Sequence, residues 1–275
     1  MPPPQGGRAR TWNSPCGPVR ACERQPTCLP AGAASGPAEP VPRRLLACVG
    51  ACFHIGASSA WAIEVARTRI KICGLTREAD VDEAIDAGAD ALGFVLYARS
   101  PRHVSLARAA ELVVRLPPFV TPVLLLVNAS PHEVRQAAEA LPQAVLQFHG
   151  DETPALCEAA GRPYLRAVRM AAGVDLLNFA QLFHSAQALL LDAHVEGFGG
   201  GGKVFDWSLI PPSVPLPVVL SGGLNPANVT DGILRVRPWA VDVSSGVEQS
   251  KGVKNAALMR RFCKAVREAD DRLGA

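Results

Sequence analysis

With 275 residues, 48% of them hydrophobic and 19% charged, the chain is long enough for one large domain or two small ones and apolar enough to bury a sizeable core. Its net charge of +3 is unevenly spread: residues 1–67 hold seven Arg, no Lys and three Glu, a net +4, so residues 68–275 stand at −1. In a folded part so close to neutral nothing argues for the basic face that a nucleic-acid groove needs, and no nucleic-acid partner is expected.

Five of the eight cysteines fall in the first 52 residues; only Cys73, Cys157 and Cys263 lie further on. No C-x-x-C occurs, and Cys48 and Cys52 have no matching Cys or His pair nearby, so no zinc site is expected. Three scattered cysteines make no disulfide framework, and a reducing cytoplasm is the expected compartment.

Residues 1–44 carry ten prolines and no hydrophobic period, which reads as disorder. Residues 45–63 form an apolar run behind Arg43-Arg44, diluted by Gly50, His54, Gly56, Ser58 and Ser59. Its length just reaches a membrane span, and its flanks resemble those of an export signal. The lysine-free, Arg/Pro/Ala/Gly/Cys-rich composition instead favours translated upstream sequence before a start at Val65, with a genuine disordered tail as the second reading. Residues 1–67 are therefore expected to be an extension outside the domain, with no membrane partner, and residues 68–275 a single domain that keeps its activity when the chain is shortened to Val65.

From residue 69 onward, short apolar runs alternate with amphipathic stretches. Strands are predicted over 70–73, 91–96, 123–127, 145–148, 164–168, 188–192, 218–221 and 240–243. Helices are predicted over 77–87, 106–116, 131–140, 153–160, 175–184, 207–210 (short), 226–235 and 255–273. Strict alternation argues for a parallel sheet, and eight units in about 205 residues suit a compact (β/α)8 barrel. An open, doubly wound sheet is the alternative; it is weakened because no G-x-G-x-x-G follows the first strand.

A barrel of this type works at the carboxyl ends of its strands. The residues found there are Cys73-Gly74, Arg99-Ser100-Pro101-Arg102-His103, Gln147-Phe148-His149-Gly150-Asp151, Arg169, Asp192, Ser221-Gly222-Gly223 and Asp242-Val243-Ser244-Ser245-Gly246. Gly222 and Gly223 after strand seven, with Ser244, Ser245 and Gly246 after strand eight, occupy the positions where barrels hold phosphate, because glycine lets backbone N–H groups approach an anion. Cys73 as thiolate can take a proton and Asp192 as carboxylic acid can give one, which suits an isomerase acting on a sugar phosphate. Arg102 can hold a carboxylate with a bidentate fork. The glycine-rich stretch 197–203 is expected to close over substrate; it lacks the Walker spacing of a phosphate loop. His149 and Asp151 are expected to pack or orient rather than react.

The segments Lys71-Ile72-Cys73-Gly74-Leu75-Thr76, Arg99-Ser100-Pro101-Arg102, Gln147-Phe148-His149-Gly150-Asp151, Leu191-Asp192, Phe205-Asp206-Trp207, Ser221-Gly222-Gly223-Leu224 and Asp242-Val243-Ser244-Ser245-Gly246-Val247-Glu248 resemble, in this order, those of the phosphoribosylanthranilate isomerases of tryptophan biosynthesis. The resemblance spans about residues 68–270 and implies a (β/α)8 barrel. It also implies an Amadori rearrangement of N-(5′-phosphoribosyl)anthranilate to 1-(2-carboxyphenylamino)-1-deoxyribulose 5-phosphate. On that footing Asp192 is the general acid, Cys73 the general base, and Arg102 the anthranilate anchor. Gly222, Gly223, Ser244, Ser245 and Gly246 would hold the phosphate, and no metal or organic cofactor is implied. A cytoplasmic monomer or homodimer is expected. Gly201 stands where the family commonly has threonine, and the N-terminal extension is foreign to it. The histidine-pathway isomerase is the nearest rival, but that family pairs two aspartates, which Cys73 argues against. A non-catalytic sugar-phosphate sensor on the same scaffold is the rival from another class, and the presence of both acid and base speaks against it.

Overall fold

The computed structural model describes residues 67–193 and 204–274. Eight parallel strands close into a barrel: β1 (Arg69–Cys73), β2 (Ala91–Val95), β3 (Thr121–Leu126), β4 (Val145–Phe148), β5 (Tyr164–Met170), β6 (Ala188–Ala193), β7 (Val218–Leu220) and β8 (Ala240–Val243). Closure is made by β1 against β8, in register from Arg69 opposite Ala240 to Ile72 opposite Val243, so the sheet has no free edge. Helices α1 (Glu78–Asp86), α2 (Leu106–Val113), α3 (Pro131–Ala140), α4 (Pro154–Ala159) and α5 (Leu176–Leu182) follow the first five strands. A 3-10 turn (Trp207–Leu209) stands between β6 and β7, α6 (Val229–Val236) follows β7, and α7 (Ala256–Leu273) ends the domain. The expected (β/α)8 barrel is the fold found, and the open sheet is excluded by the β1–β8 pairing.

The helices begin where short polar side chains satisfy their first free N–H groups. Ser105, Thr153, Asp175 and Asn255 each accept from a backbone N–H in the first turn, and Ser130 with Glu133 makes a reciprocal capping box ahead of Pro131. Helix α6 starts three residues later than the 226–235 prediction. The Asn225 carbonyl and side chain bind the N–H groups of Asn228 and Ala227 and hold a turn there first. Two elements escaped prediction: a 3-10 turn (Ser245–Val247) and a small antiparallel pair, β9 (Glu248–Ser250) with β10 (Val253–Lys254), all between β8 and α7. At two or three residues each they are too short to show a period.

Strand alternation sorts the side chains into two cores. Ile70 and Ile72 of β1, Leu92 and Phe94 of β2, and Leu189 and Leu191 of β6 pack outward with the helices. Inside the barrel, Val123, Leu165, Ala167, Ala188, Leu190, Val219 and Ala240 form the lower filling, and Cys73, Val95, Leu125 and Val127 form a separate cluster at the mouth. Alternation then places Lys71, Asp192 and Asp242 inside, as buried polar groups. The start of β1 is tied to α7 by Asp270, whose carboxylate accepts from Thr68 N at 3.0 Å and from Thr68 Oγ1 at 2.6 Å. Among the described residues no helix is long and apolar enough to cross a membrane. The 45–63 run and the rest of the extension to residue 66 lie outside the described residues, as does the 194–203 stretch that includes the expected lid.

Candidate active site

Cys73 ends β1 with its side chain inside the barrel mouth, buried. Room for the sulfur comes from Gly93 on the neighbouring strand: a Cβ there would lie 2.7 Å from Cys73 Sγ and 3.1 Å from its Cα. Two residues earlier on the same face, Lys71 donates from Nζ to Asp242 Oδ1 at 2.6 Å, and Ser221 donates from Oγ to Asp242 Oδ2 at 3.1 Å. Burial pushes the Cys73 thiol up, the Lys71 charge opposes that rise, Asp242 adds to it, and Lys254 opposes it. The Lys71 ammonium is itself held above its ordinary range: burial works against it, but the charges of Asp242 and Cys73 prevail.

Asp192, the penultimate residue of β6, lies on the same inner face. Its Oδ1 accepts from the N–H of Ala193 at 2.9 Å, and its Oδ2 lies 3.1 Å from His149 Nε2. The other ring nitrogen of His149 lies 2.9 Å from Gln147 Nε2. The Gln147 amide N–H donates to Nδ1, which leaves Nε2 of His149 to donate to Asp192, so the row from Gln147 through His149 fixes the orientation of the carboxyl group. The loop carrying His149 is clamped from behind. Glu152 accepts from the N–H groups of Asn128 at 2.7 Å and Gly150 at 2.8 Å, while the Arg166 guanidinium donates to the carbonyls of Phe148, Gly150 and Glu152. Asp151 points outward into an ion pair with Arg169 at 2.8 Å, so of the two residues expected to orient rather than react, only His149 meets the mouth.

Arg102, in the loop after β2, lies across Gly74, the residue that follows Cys73. Its Nε and Nη2 donate to the two Glu248 oxygens at 2.7 and 2.8 Å, so one edge of the fork expected to be open to a ligand carboxylate is engaged within the protein. Among the described residues the end formed by Nη1 and the second Nη2 hydrogen has no partner and is left for such a ligand. Glu248 also accepts from Lys254 Nζ at 2.8 Å, and that ammonium donates further to the carbonyl of Ser244 at 3.0 Å. Burial lowers Lys254, with Glu248 opposing; burial works to raise Glu248, but Arg102 and Lys254 hold it below the usual carboxylate range.

The loops after β7 and β8 touch. A Cβ on Gly246 would lie 1.9 Å from the Leu224 carbonyl oxygen, a contact only glycine permits. Gly222 and Gly223 both take left-handed backbone angles, φ +76° and +68°. The side-chain amides of Asn225 and Asn228 bind the Gly223 carbonyl and turn it away from the mouth. The N–H groups of Gly222, Gly223, Ser245 and Gly246 find no acceptor among the described residues. Such a cup of free donors suits an anion. Among the described residues no group of three His, Cys, Asp or Glu side chains could hold a metal.

A family model described as N-(5′-phosphoribosyl)anthranilate (PRA) isomerase matches residues 70–265. The N-(5′-phosphoribosyl)anthranilate isomerase of Leptothrix cholodnii is 75% identical over 207 residues, covering 75% of this chain and 94% of that protein. The chain belongs to the N-(5′-phosphoribosyl)anthranilate isomerase family. It is therefore an enzyme, an isomerase. The isomerase of Methylibium petroleiphilum is 73% identical over 209 residues, 76% of this chain and 98% of the relative. The crystal structure of the isomerase from Thermotoga maritima superposes with a TM-score of 0.67 at 39% identity, over 73% of this chain and 99% of that one. A further isomerase structure, in complex with reduced 1-(o-carboxyphenylamino)-1-deoxyribulose 5-phosphate, superposes with a TM-score of 0.64 at 38% identity, over 73% and 99%.

Within the isomerase barrel, sequence reading found the groups at the mouth but missed those that hold them. Lys71 was recognisable by its inward register two residues before Cys73, and Asp242 by its place on the matching strand. Lys254 belongs to the short β9–β10 pair and Gly93 sits unmarked inside an apolar strand, and neither carried a signal of its own; Glu248 closes the 242–248 segment, but nothing there pointed to Arg102 as its partner.

Proposed function

We propose that this isomerase carries out the Amadori rearrangement of N-(5′-phosphoribosyl)anthranilate in tryptophan biosynthesis, with Asp192 as general acid and Cys73 as general base. The observation that carries the assignment is placement. Both are buried, inward-facing residues at the carboxyl ends of strands of one barrel mouth, and each is backed by its own polar network.

Asp192 gives its proton to the ribose ring oxygen as the amine lone pair forms C1′=N and the C1′–O bond breaks. The Cys73 thiolate then takes the C2′ proton, and the released electron pair neutralises the iminium to an enolamine. Loss of the enol proton and gain of one at C1′ give the amino ketone and restore both side chains. Atoms and protons balance within the substrate and these two groups, so the reading calls for no metal or organic cofactor. Arg102 takes the anthranilate carboxylate through the end of its guanidinium that Glu248 leaves open. Gly222, Gly223, Ser244, Ser245 and Gly246 surround the phosphate. His149 keeps Asp192 aligned. Residues 68–275 carry the whole activity.

The direct test is loss of the substrate's anthranilate fluorescence when freshly made phosphoribosylanthranilate is added to the full chain and to the chain beginning at Val65. Turnover by both is expected. No turnover by the folded full chain, together with turnover of another aminoaldose phosphate, would overturn the substrate assignment. Gly93→Ala gives a second check. The added methyl cannot coexist with Cys73 Sγ at 2.7 Å and the rigid Cα at 3.1 Å, so the sulfur must move. Displacing a reacting group by this much lowers kcat by about 10²-fold, and that loss is expected with a folded barrel by circular dichroism.

A further inference from the structure

Burial disfavours a thiolate, so a cysteine base sealed in a barrel mouth needs a compensating cation. Cys73 is buried, and the charged groups around it come from several elements: Lys71 beside it on β1, Asp242 on β8, and Lys254 on β10. A further shell, Arg102 after β2 and Glu248 on β9, reaches Cys73 through Lys254. The two lysines differ. The Lys254 ammonium is spent on Glu248 and on the Ser244 carbonyl and hydroxyl, three acceptors within 3.4 Å. Among the described residues Lys71 has one side-chain partner outside its own strand, Asp242 at 2.6 Å, in a pairing set by the β1–β8 register. Its ammonium sits on the same inward face as the sulfur, two residues away along β1, and its charge opposes the rise that burial imposes on the thiol. Asp242 in turn is fixed by the Ser221 hydroxyl at 3.1 Å, from the first residue of the glycine turn after β7.

We propose that Lys71 is the positioning residue that stabilises the Cys73 thiolate, with Asp242 and Ser221 clamping its ammonium at the floor of the site. The proposal rests on Cys73 being the base. In the reaction Lys71 stays an ammonium throughout: it donates a hydrogen bond to the thiolate before proton abstraction and faces a neutral thiol after it. The network predicts opposite effects for its two charges. Removing the Lys71 charge destabilises the thiolate; removing the Asp242 charge stabilises it.

The experiment uses the full chain and its Lys71→Met, Asp242→Asn and Lys71→Met/Asp242→Asn variants. The double variant removes both charges and so leaves no buried unpaired ion, which covers the case in which Lys71→Met alone fails to fold. The rate of Cys73 alkylation by iodoacetamide is followed against pH by mass spectrometry of the peptide containing Cys73, so the other cysteines do not enter. The acidic limb of kcat/KM is recorded in parallel. For Lys71→Met the alkylation midpoint is expected to move up by about 1–3 pH units, the size of a lost opposite charge at this range, and for Asp242→Asn to move down. The double variant is expected above the wild type, because it lacks the hydrogen bond from Lys71. The kcat/KM limb should move with each midpoint. Unmoved midpoints in folded Lys71→Met or in the double variant would overturn the proposal and leave Lys71 a purely structural group. Shifted midpoints with an unmoved kcat/KM limb would uphold the coupling and overturn Cys73 as the base.

Discussion

Replacing Cys73 with alanine should lower kcat by about 10²–10⁴-fold, the contribution of a positioned proton-transfer group, while binding of reduced product analogue changes little. The separation of kcat from binding follows from the site. Cys73 lies at the end of β1, with Gly93 opened to receive its sulfur, and neither the anion cup after β7 and β8 nor Arg102 depends on it for support. Serine is the informative companion. It matches cysteine in shape, so a packing role would leave Cys73→Ser close to the wild type. As a base it is useless near neutrality, because a hydroxyl does not ionise there even beside Lys71. Equal loss in both variants, read as kcat with the fluorescence assay, supports the base; recovery in the serine variant would sink it. Cys157 and Cys263 provide the contrast. Burial pushes their thiols to about 12 and about 11, and they sit on α4 and α7 within the outer core. Alanine at either should reduce thermal stability by the cost of a small core cavity and leave kcat unchanged.

The barrel was legible because its outward positions repeat. Ile70 and Ile72, Leu92 and Phe94, and Leu189 and Leu191 are apolar on the helix side, and strands covered on both faces read as unbroken apolar runs. The groups at the mouth were legible for the opposite reason: Cys73, Asp192 and the Gly222-Gly223 pair interrupt those runs at their carboxyl ends. Partners could not be read in the same way. That Arg102 would spend one edge of its fork on Glu248 depends on a loop, β9 and β10, that folds back across the mouth 146 residues later in the chain. That His149 would stand between Gln147 and Asp192 depends on β4 and β6 meeting across the inside of the barrel, and such distances are set by closure rather than by neighbouring sequence. Helix starts followed local chemistry closely wherever a single side chain caps the first turn, as at Ser130. They shifted where an Asn-Pro turn intervened, as before α6.

Asp192→Asn should match the loss seen at Cys73, about 10²–10⁴-fold in kcat, for a complementary reason. The substitution keeps nearly every contact. The amide oxygen can still accept from the Ala193 N–H, now at 2.9 Å from Oδ1, and the amide can still face His149. What it removes is the transferable proton, so ring opening loses its acid while the fold and the phosphate cup stay as they are. A role for Asp192 confined to holding the β6 loop would survive this exchange, and near-wild-type kcat in Asp192→Asn would establish that role instead. Asp192→Glu separates position from chemistry. It retains the acid but adds a methylene in a corner where the site of a Gly222 Cβ is only 3.0 Å from Oδ1 and 2.4 Å from the Ala193 nitrogen, so the longer carboxyl group is forced toward His149 or into the mouth. A partial loss, smaller than that of asparagine and accompanied by weaker analogue binding, is the expected result. An acid that tolerated such displacement would be working through water, whereas an acid that must touch the ring oxygen cannot.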